Sequence, residues 1–142
     1  MAKSKVRVLL ADQDEVNNFI LANHIKTHRL AVQHQHVNSA RKGLTYLDKV
    51  DREKPHAFPE VIIWDRDLRD MDGFAFLEIF AAEYHEKYPK TRVFLVSKAL
   101  QTEDKVTARN YPFVGHLISK PVSIAALSEL IRQGKQFRSG NS

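Results

Sequence analysis

At 142 residues, with 43% apolar and 27% charged side chains, the chain has the make-up of one soluble globular domain, not of a disordered or fibrous protein. No apolar run reaches a membrane span, the N-terminal MAKSKVRVLLADQDE turns acidic before a signal-peptide core could form, and the lack of cysteine excludes disulfides and thiolate metal sites. A cytoplasmic protein without a membrane partner is expected. The net charge of +5 is spread from Lys3 to Arg138 without a long basic run, so no nucleic-acid partner is expected, and Arg132, Lys135 and Arg138 read as a solvated helix stripe.

Along the chain, short β-branched runs alternate with segments of helical spacing. Val6–Ala11 predicts a first strand, followed by Asp12, Gln13 and Asp14; Asp14 caps a helix carrying Val16, Phe19, Ile20 and Ile25. Leu30–Val37 predicts a second strand whose polar alternation suits a sheet edge, and Ser39 then caps a helix carrying Leu44 and Leu47. Val61–Trp64 predicts a third strand ending at Asp65, with Asp72 capping a helix of Phe74, Leu77 and Phe80. Arg92–Val96 predicts a fourth, followed by Ser97 and by a shorter helix from a Thr102 cap to Asn110. Gly115–Ile118 predicts a fifth, followed by Lys120, Pro121 and a helix that Ser123 caps and that carries Ala126, Leu127, Leu130 and Ile131. Five strand–helix repeats predict an α/β, doubly wound parallel sheet covered on both faces. The domain is expected over residues 5–133, with 1–4 and 134–142 as flexible tails.

In such a sheet, ligands bind beyond the carboxyl ends of the strands. Four of the five predicted strands deliver a carboxylate, a hydroxyl or an ammonium there: Asp12, Asp65, Ser97 and Lys120. Carboxylates from two strands suit Mg²⁺, which takes oxygen ligands and keeps waters and phosphate in its shell. A carboxylate can also be the nucleophile in phosphoryl transfer, with a lysine and a hydroxyl as sufficient helpers.

This ordered set resembles the receiver domain of two-component response regulators over about residues 5–133. There an acidic pair follows the first strand, and a phospho-accepting aspartate follows the third, trailed seven and eight residues later by Asp-Gly. A Thr or Ser follows the fourth strand and Lys-Pro the fifth. Here Asp65 precedes Asp72-Gly73 at that spacing, LVSKA supplies Ser97, and LISKPV supplies Lys120-Pro121. The resemblance implies a flavodoxin-like (βα)5 fold with strand order 2-1-3-4-5 and a phosphoryl group accepted on Asp65 from a sensor histidine kinase or histidine phosphotransfer protein. It implies Ser97 and Lys120 on the phosphoryl oxygens, and weakly bound Mg²⁺ at Asp12, Asp65 and the Asp67 backbone carbonyl, with Gln13 or Asp14 as a further donor. A cis Lys120-Pro121 bond follows from it too. Signalling would pass to a downstream protein target through the surface from Ser97 to the last helix, including Leu117, and the domain would not be an enzyme. Asp70 reads as a solvated loop residue and Asp72 as a helix cap.

The pattern is also broken. Gln13 stands where the family has its second acid, offering a neutral oxygen; Leu68-Arg69 replace Met-Pro, Lys98 replaces a small residue, and Leu117, after His116, replaces the switch aromatic. Gln13, Lys98 and Leu117 favour a rival, a pseudo-receiver that interacts without phosphate, while Asp12, Asp65, Ser97 and Lys120 argue against it. A second rival takes Asp65-x-Asp67 as the Asp-x-Asp of haloacid-dehalogenase-like phosphatases, although theirs follows the first strand. His24/His28 and His34/His36 have metal-ligand spacing but no third ligand near in sequence, and read as surface histidines.

Overall fold

The computed structural model describes residues 6–28 and 32–138. In chain order they form β1 (Val6–Ala11), α1 (Glu15–Thr27), β2 (Val32–Val37), α2 (Ala40–Glu53), β3 (Val61–Asp65), α3 (Gly73–Glu83), β4 (Arg92–Ser97), α4 (Thr102–Ala108), β5 (Ile118–Ser119) and α5 (Ile124–Arg138). All strand pairs are parallel, in the order β2-β1-β3-β4-β5 expected of the flavodoxin-like fold. β2 is an edge strand, as its alternating sequence predicts; Leu30 and Ala31, expected to begin it, lie outside the described residues.

Side chains alternate between two cores, as a pleated sheet covered on both faces requires. Val8 and Leu10 of β1 and Val61 and Ile63 of β3 pack with Leu21 and Ile25 of α1 and Leu127, Leu130 and Ile131 of α5. Leu9, Ile62 and Trp64 face the other way, against Leu47 of α2 and Phe76, Leu77 and Phe80 of α3. Asp12 continues the Val8–Leu10 alternation and Asp65 the Val61–Ile63 alternation, so two neighbouring strands bring their carboxylates out on the same side of the sheet.

Several expected boundaries move, each for a local reason. The fifth strand is not Gly115–Ile118. Val114 bridges Val93 and the Gly115 N–H donates to the Val93 carbonyl at 2.9 Å, after which pairing with β4 resumes only at Ile118. Gly115 sits so close to Phe94 that a Cβ there would lie 2.2 Å from the ring. Thr102 is not the cap of α4 but its first residue. Gln101 is the cap, its N–H donating to Asp104 Oδ2 at 2.7 Å as in a capping box. The helix ends at Ala108, not Asn110. The tail expected from residue 134 is helical as far as Arg138, and Gly134 is buried against Val61. Residues 1–4 and 139–142 of the expected tails lie outside the described residues.

On α1, Val16, Phe19 and Ile20 are 67%, 70% and 45% exposed, and the core stripe is Asn18, Leu21 and Ile25. Asn18 explains the rotation. Its amide nitrogen donates to the carbonyls of Asp12 at 2.7 Å and Val37 at 3.3 Å, satisfying backbone oxygens at the ends of β1 and β2.

Candidate functional site: two buried carboxylates on one lysine

Asp12, just past β1, and Asp65, the last residue of β3, are 4% and 2% exposed. Lys120 Nζ bridges them, 2.7 Å from Asp12 Oδ2 and 2.9 Å from Asp65 Oδ2. Burial works against the ammonium's charge, but the hydrogen bonds and charges of Asp12 and Asp65 outweigh it and hold the Lys120 pKa above its ordinary value. Neighbouring residues supply further donors. The Asp67 N–H donates to Asp65 Oδ1 at 2.8 Å, the Asp14 N–H to Asp12 Oδ1 at 2.9 Å, and the Asn17 amide to Asp12 Oδ2 at 2.8 Å. Two carboxylates on one ammonium leave a net negative charge, which favours a cation or an electrophile. The Lys120-Pro121 bond is cis.

Ser97, the last residue of β4, is fully buried; its hydroxyl donates to Asp67 Oδ2 at 2.6 Å and accepts from the Ala99 N–H at 3.0 Å. Partial burial pushes the Asp67 carboxyl up, but Ser97, Arg66 and Lys120 together hold it below the usual aspartate range. Arg66 binds Asp67 Oδ1 through Nε at 3.0 Å, the Ala99 carbonyl through Nη2 at 3.1 Å, and Asp104 Oδ2 through Nη1. Burial opposes the guanidinium's charge, and the adjoining carboxylates override it, so its pKa rises.

The remaining expected residues divide. Asp12, Asp65, Asp67, Lys98 and Lys120 line one cleft of about 450 Å³, so Lys98 does stand at the site. Gln13 and Asp14 line it too, but both are engaged. The Gln13 amide bridges the loop after β3, donating to the Asp67 carbonyl at 3.3 Å and accepting from the Arg69 N–H at 2.9 Å. Asp14 caps α1 by accepting from the Val16 and Asn17 N–H groups. Asp72 caps α3, as expected. Asp70 is not merely solvated, because its carboxylate accepts from the Ala40 and Arg41 N–H groups at 3.0 and 2.9 Å and caps α2 from a distant loop. Leu117 is half-buried beside the aromatic core and lines a groove of about 520 Å³ with Ala108, Tyr111 and His116.

The rings of His24/His28 and His34/His36 lie 5.7 and 6.0 Å apart. Among the described residues no three His, Cys, Asp or Glu side chains are grouped to hold a metal by themselves. The donors expected for a metal in the main cleft, the Asp12 and Asp65 carboxylates and the Asp67 carbonyl, are all hard oxygens, a set that suits Mg²⁺ with waters completing the shell.

Sequence reasoning misses Asn17, Asn18 and Arg66. Asn18 is detectable as a polar residue at i−3 and i−7 from Leu21 and Ile25. Arg66 is not, since its partner Asp104 is 38 residues away.

The chain matches the family model of the response regulator receiver domain over residues 8–132. It belongs to that family. Solved structures agree in fold. A two-component response regulator from Cytophaga hutchinsonii has a TM-score of 0.83 at 23% identity, over 94% of this chain and 99% of that one. A CheY-like receiver domain protein from Methanospirillum hungatei has a TM-score of 0.77 at 22% identity, covering 96% and 99%. The phosphorylated cyanobacterial phytochrome response regulator RcpA has a TM-score of 0.71 at 15% identity, covering 97% and 96%. No curated protein matches. Among the described residues of this receiver domain, no helix is long and apolar enough to cross a membrane.

Proposed function

We propose that this receiver domain takes a phosphoryl group onto Asp65 from the phosphohistidine of a sensor histidine kinase or histidine phosphotransfer protein, and signals to a downstream protein target by contact. The observation that carries the reading is Lys120 bridging Asp12 and Asp65, which keeps a nucleophilic carboxylate beside a fixed positive charge at the end of the central strand. In the transfer a carboxylate oxygen of Asp65 bonds to phosphorus as the P–N bond to imidazole breaks, and the imidazole nitrogen keeps that electron pair. Lys120 neutralises charge on the phosphoryl oxygens, and the Ser97 hydroxyl donates to one of them. Asp12, Asp65 and the Asp67 carbonyl would hold Mg²⁺, whose chemistry is to offset the negative charge gathered in the cleft. Gln13, neutral where the family has an acid, lowers that affinity. RcpA, of the same fold and solved in phosphorylated form, supports the reading.

A protein donor is supported by α1. Val16, Phe19 and Ile20 form an exposed apolar face on the helix that Asp14, at the rim of the cleft, caps. The domain is a signalling module, not a phosphatase. In the Asp-x-Asp reading Asp67 would be the acid/base, but it is held by Ser97 and Arg66.

Intact mass after incubation with Mg²⁺ and phosphoramidate tests the proposal. One phosphoryl group on the parent and none on Asp65→Asn is expected; turnover of a phosphate ester would favour the phosphatase. One observation favours the phosphate-independent pseudo-receiver: the Gln13 amide already occupies the Asp67 carbonyl. No addition at any Mg²⁺ concentration, or from a phosphorylated donor protein, would move the assignment there.

A further inference from the structure

Arg66 has no place in the transfer chemistry, yet it joins the acceptor loop to the start of α4. Its side chain is 14% exposed and that of Asp104 is 13% exposed, so this ion pair is shielded from water, unlike the surface pairs elsewhere on the molecule. Asp104 also takes the Gln101 N–H that caps α4, while the Ala99 carbonyl binds Arg66 and the Ala99 N–H binds Ser97. Ser97, Asp67, Arg66 and the 99–104 segment thus form a closed ring of polar contacts, with the Asp67 N–H on Asp65 as its link to the acceptor.

We propose that Arg66 is a positioning residue: it pins the first turn of α4 to the acceptor loop through Asp67, Ala99 and Asp104, and phosphorylation of Asp65 undoes that pin. The inference rests on the acceptor role proposed for Asp65.

The Ser97 hydroxyl has one proton, now given to Asp67. A phosphoryl group on Asp65, whose Oδ1 already accepts the Asp67 N–H, brings a charge of about −2 and three strong acceptor oxygens into the cleft that Asp67 also lines. It competes for the Ser97 proton and repels Asp67. Once Ser97 turns away, Asp67 loses its shortest hydrogen bond, the Ala99 N–H loses its acceptor, and Arg66 is left with fewer fixed partners. Little else restrains this turn, since α4 spans seven residues, buries Ala108 and leaves Val106 exposed.

Hydrogen exchange of the full chain, read on peptides covering residues 99–106, tests this in the parent, Arg66→Ala, Ser97→Ala and the double variant. Each single change is expected to speed exchange there by about tenfold, the order set by losing a hydrogen bond to a charged group, and the double to add little because both break one ring. Arg66→Lys, which keeps the charge but cannot span three acceptors, should fall between parent and Arg66→Ala and covers the case in which the alanine variant fails to fold. Phosphorylated parent, its modification verified by mass, should match unmodified Arg66→Ala, and phosphorylating Arg66→Ala should change nothing further in this segment. Unchanged exchange at 99–106 in the phosphorylated parent, additive single effects, or parent-like exchange in Arg66→Ala would each overturn the proposal. If no phosphoryl group is taken up, the mass reports failure of the acceptor role, and the unmodified variants still decide whether the pin exists.

Discussion

On the α2–α3 side of the sheet, Trp64 stacks on Phe76 with 3.6 Å between ring centroids, Phe80 lies against Phe76 and Phe113, and Phe58 stacks on Tyr88 at 3.7 Å. The α1–α5 side is packed with Val, Leu and Ile, and Phe94 is the aromatic among its described buried residues. Asp12 and Asp65 continue the alternation of the aliphatic side, and α1, on that side, turns Phe19 outward. The difference separates two duties. Large flat rings with few rotamers bury much area and hold the strands still, while the aliphatic side carries the two strand-end carboxylates and a helix whose Val16, Phe19 and Ile20 stay exposed.

The most damaging way to break this division is Trp64→Ala. Losing a fully buried, stacked indole is expected to cost about 3–5 kcal/mol by urea unfolding, against about 0.5–1.5 kcal/mol for Ile25→Val on the other side. Comparable losses would mean that the rings carry no special share. Gly43→Ala sharpens the point. A Cβ there would lie 2.7 Å from Cη2 and Cζ3 of Trp64, a fully buried ring that is also stacked on Phe76, so about 1–3 kcal/mol of overpacking is expected. In a Trp64→Leu background the same change should cost less; an equal cost would place the strain in α2 itself.

The centre of the site is legible in the amino-acid sequence because its residues close the strands. β3 and β4 each run one residue further than their apolar stretches, so that Asp65 and Ser97 are strand ends, and the hydrophobic alternation decides which way those ends point. The α1 face is misleading because Val16, Phe19 and Ile20 have helical spacing too. What chooses Leu21 and Ile25 for the core is Asn18, whose value lies in two strand-end carbonyls that local sequence does not display. Asp70 and Arg66 are illegible for the same reason, since each acts on a segment about 30 to 38 residues away.

Asp70 gives a smaller test. Its carboxylate is held below the usual aspartate range, chiefly by the Arg41 N–H and against some burial, with the Ala40 N–H assisting. A folded-state pKa below the unfolded value of about 3.9 gives stability that is fully present above that value and lost as pH falls through the folded one. Asp70→Ala should therefore cost about 1 kcal/mol, as for loss of a helix cap. The deficit should be constant from neutrality down to about pH 5 and should shrink in more acidic urea titrations. A deficit unchanged at the acid end would show that the uncharged hydrogen bonds, not the charge, hold α2.

The least effect on stability, with a functional loss confined to protein donors, is expected from Phe19→Ala. At 70% exposure its truncation should move stability by no more than about 0.5 kcal/mol. Labelling by phosphoramidate, which needs only the cleft, should be unchanged. Transfer from a phosphorylated donor protein should slow by about tenfold or more, because an exposed aromatic flanked by Val16 and Ile20 has the character of an interface anchor. The paired donors separate the causes. Equal losses with both would mean that the substitution disturbs α1 and, through Asn17, the Asp12 carboxylate. No loss with either would mean that the donor approaches Asp65 from another side, and the outward turn of these three residues would then need a different partner.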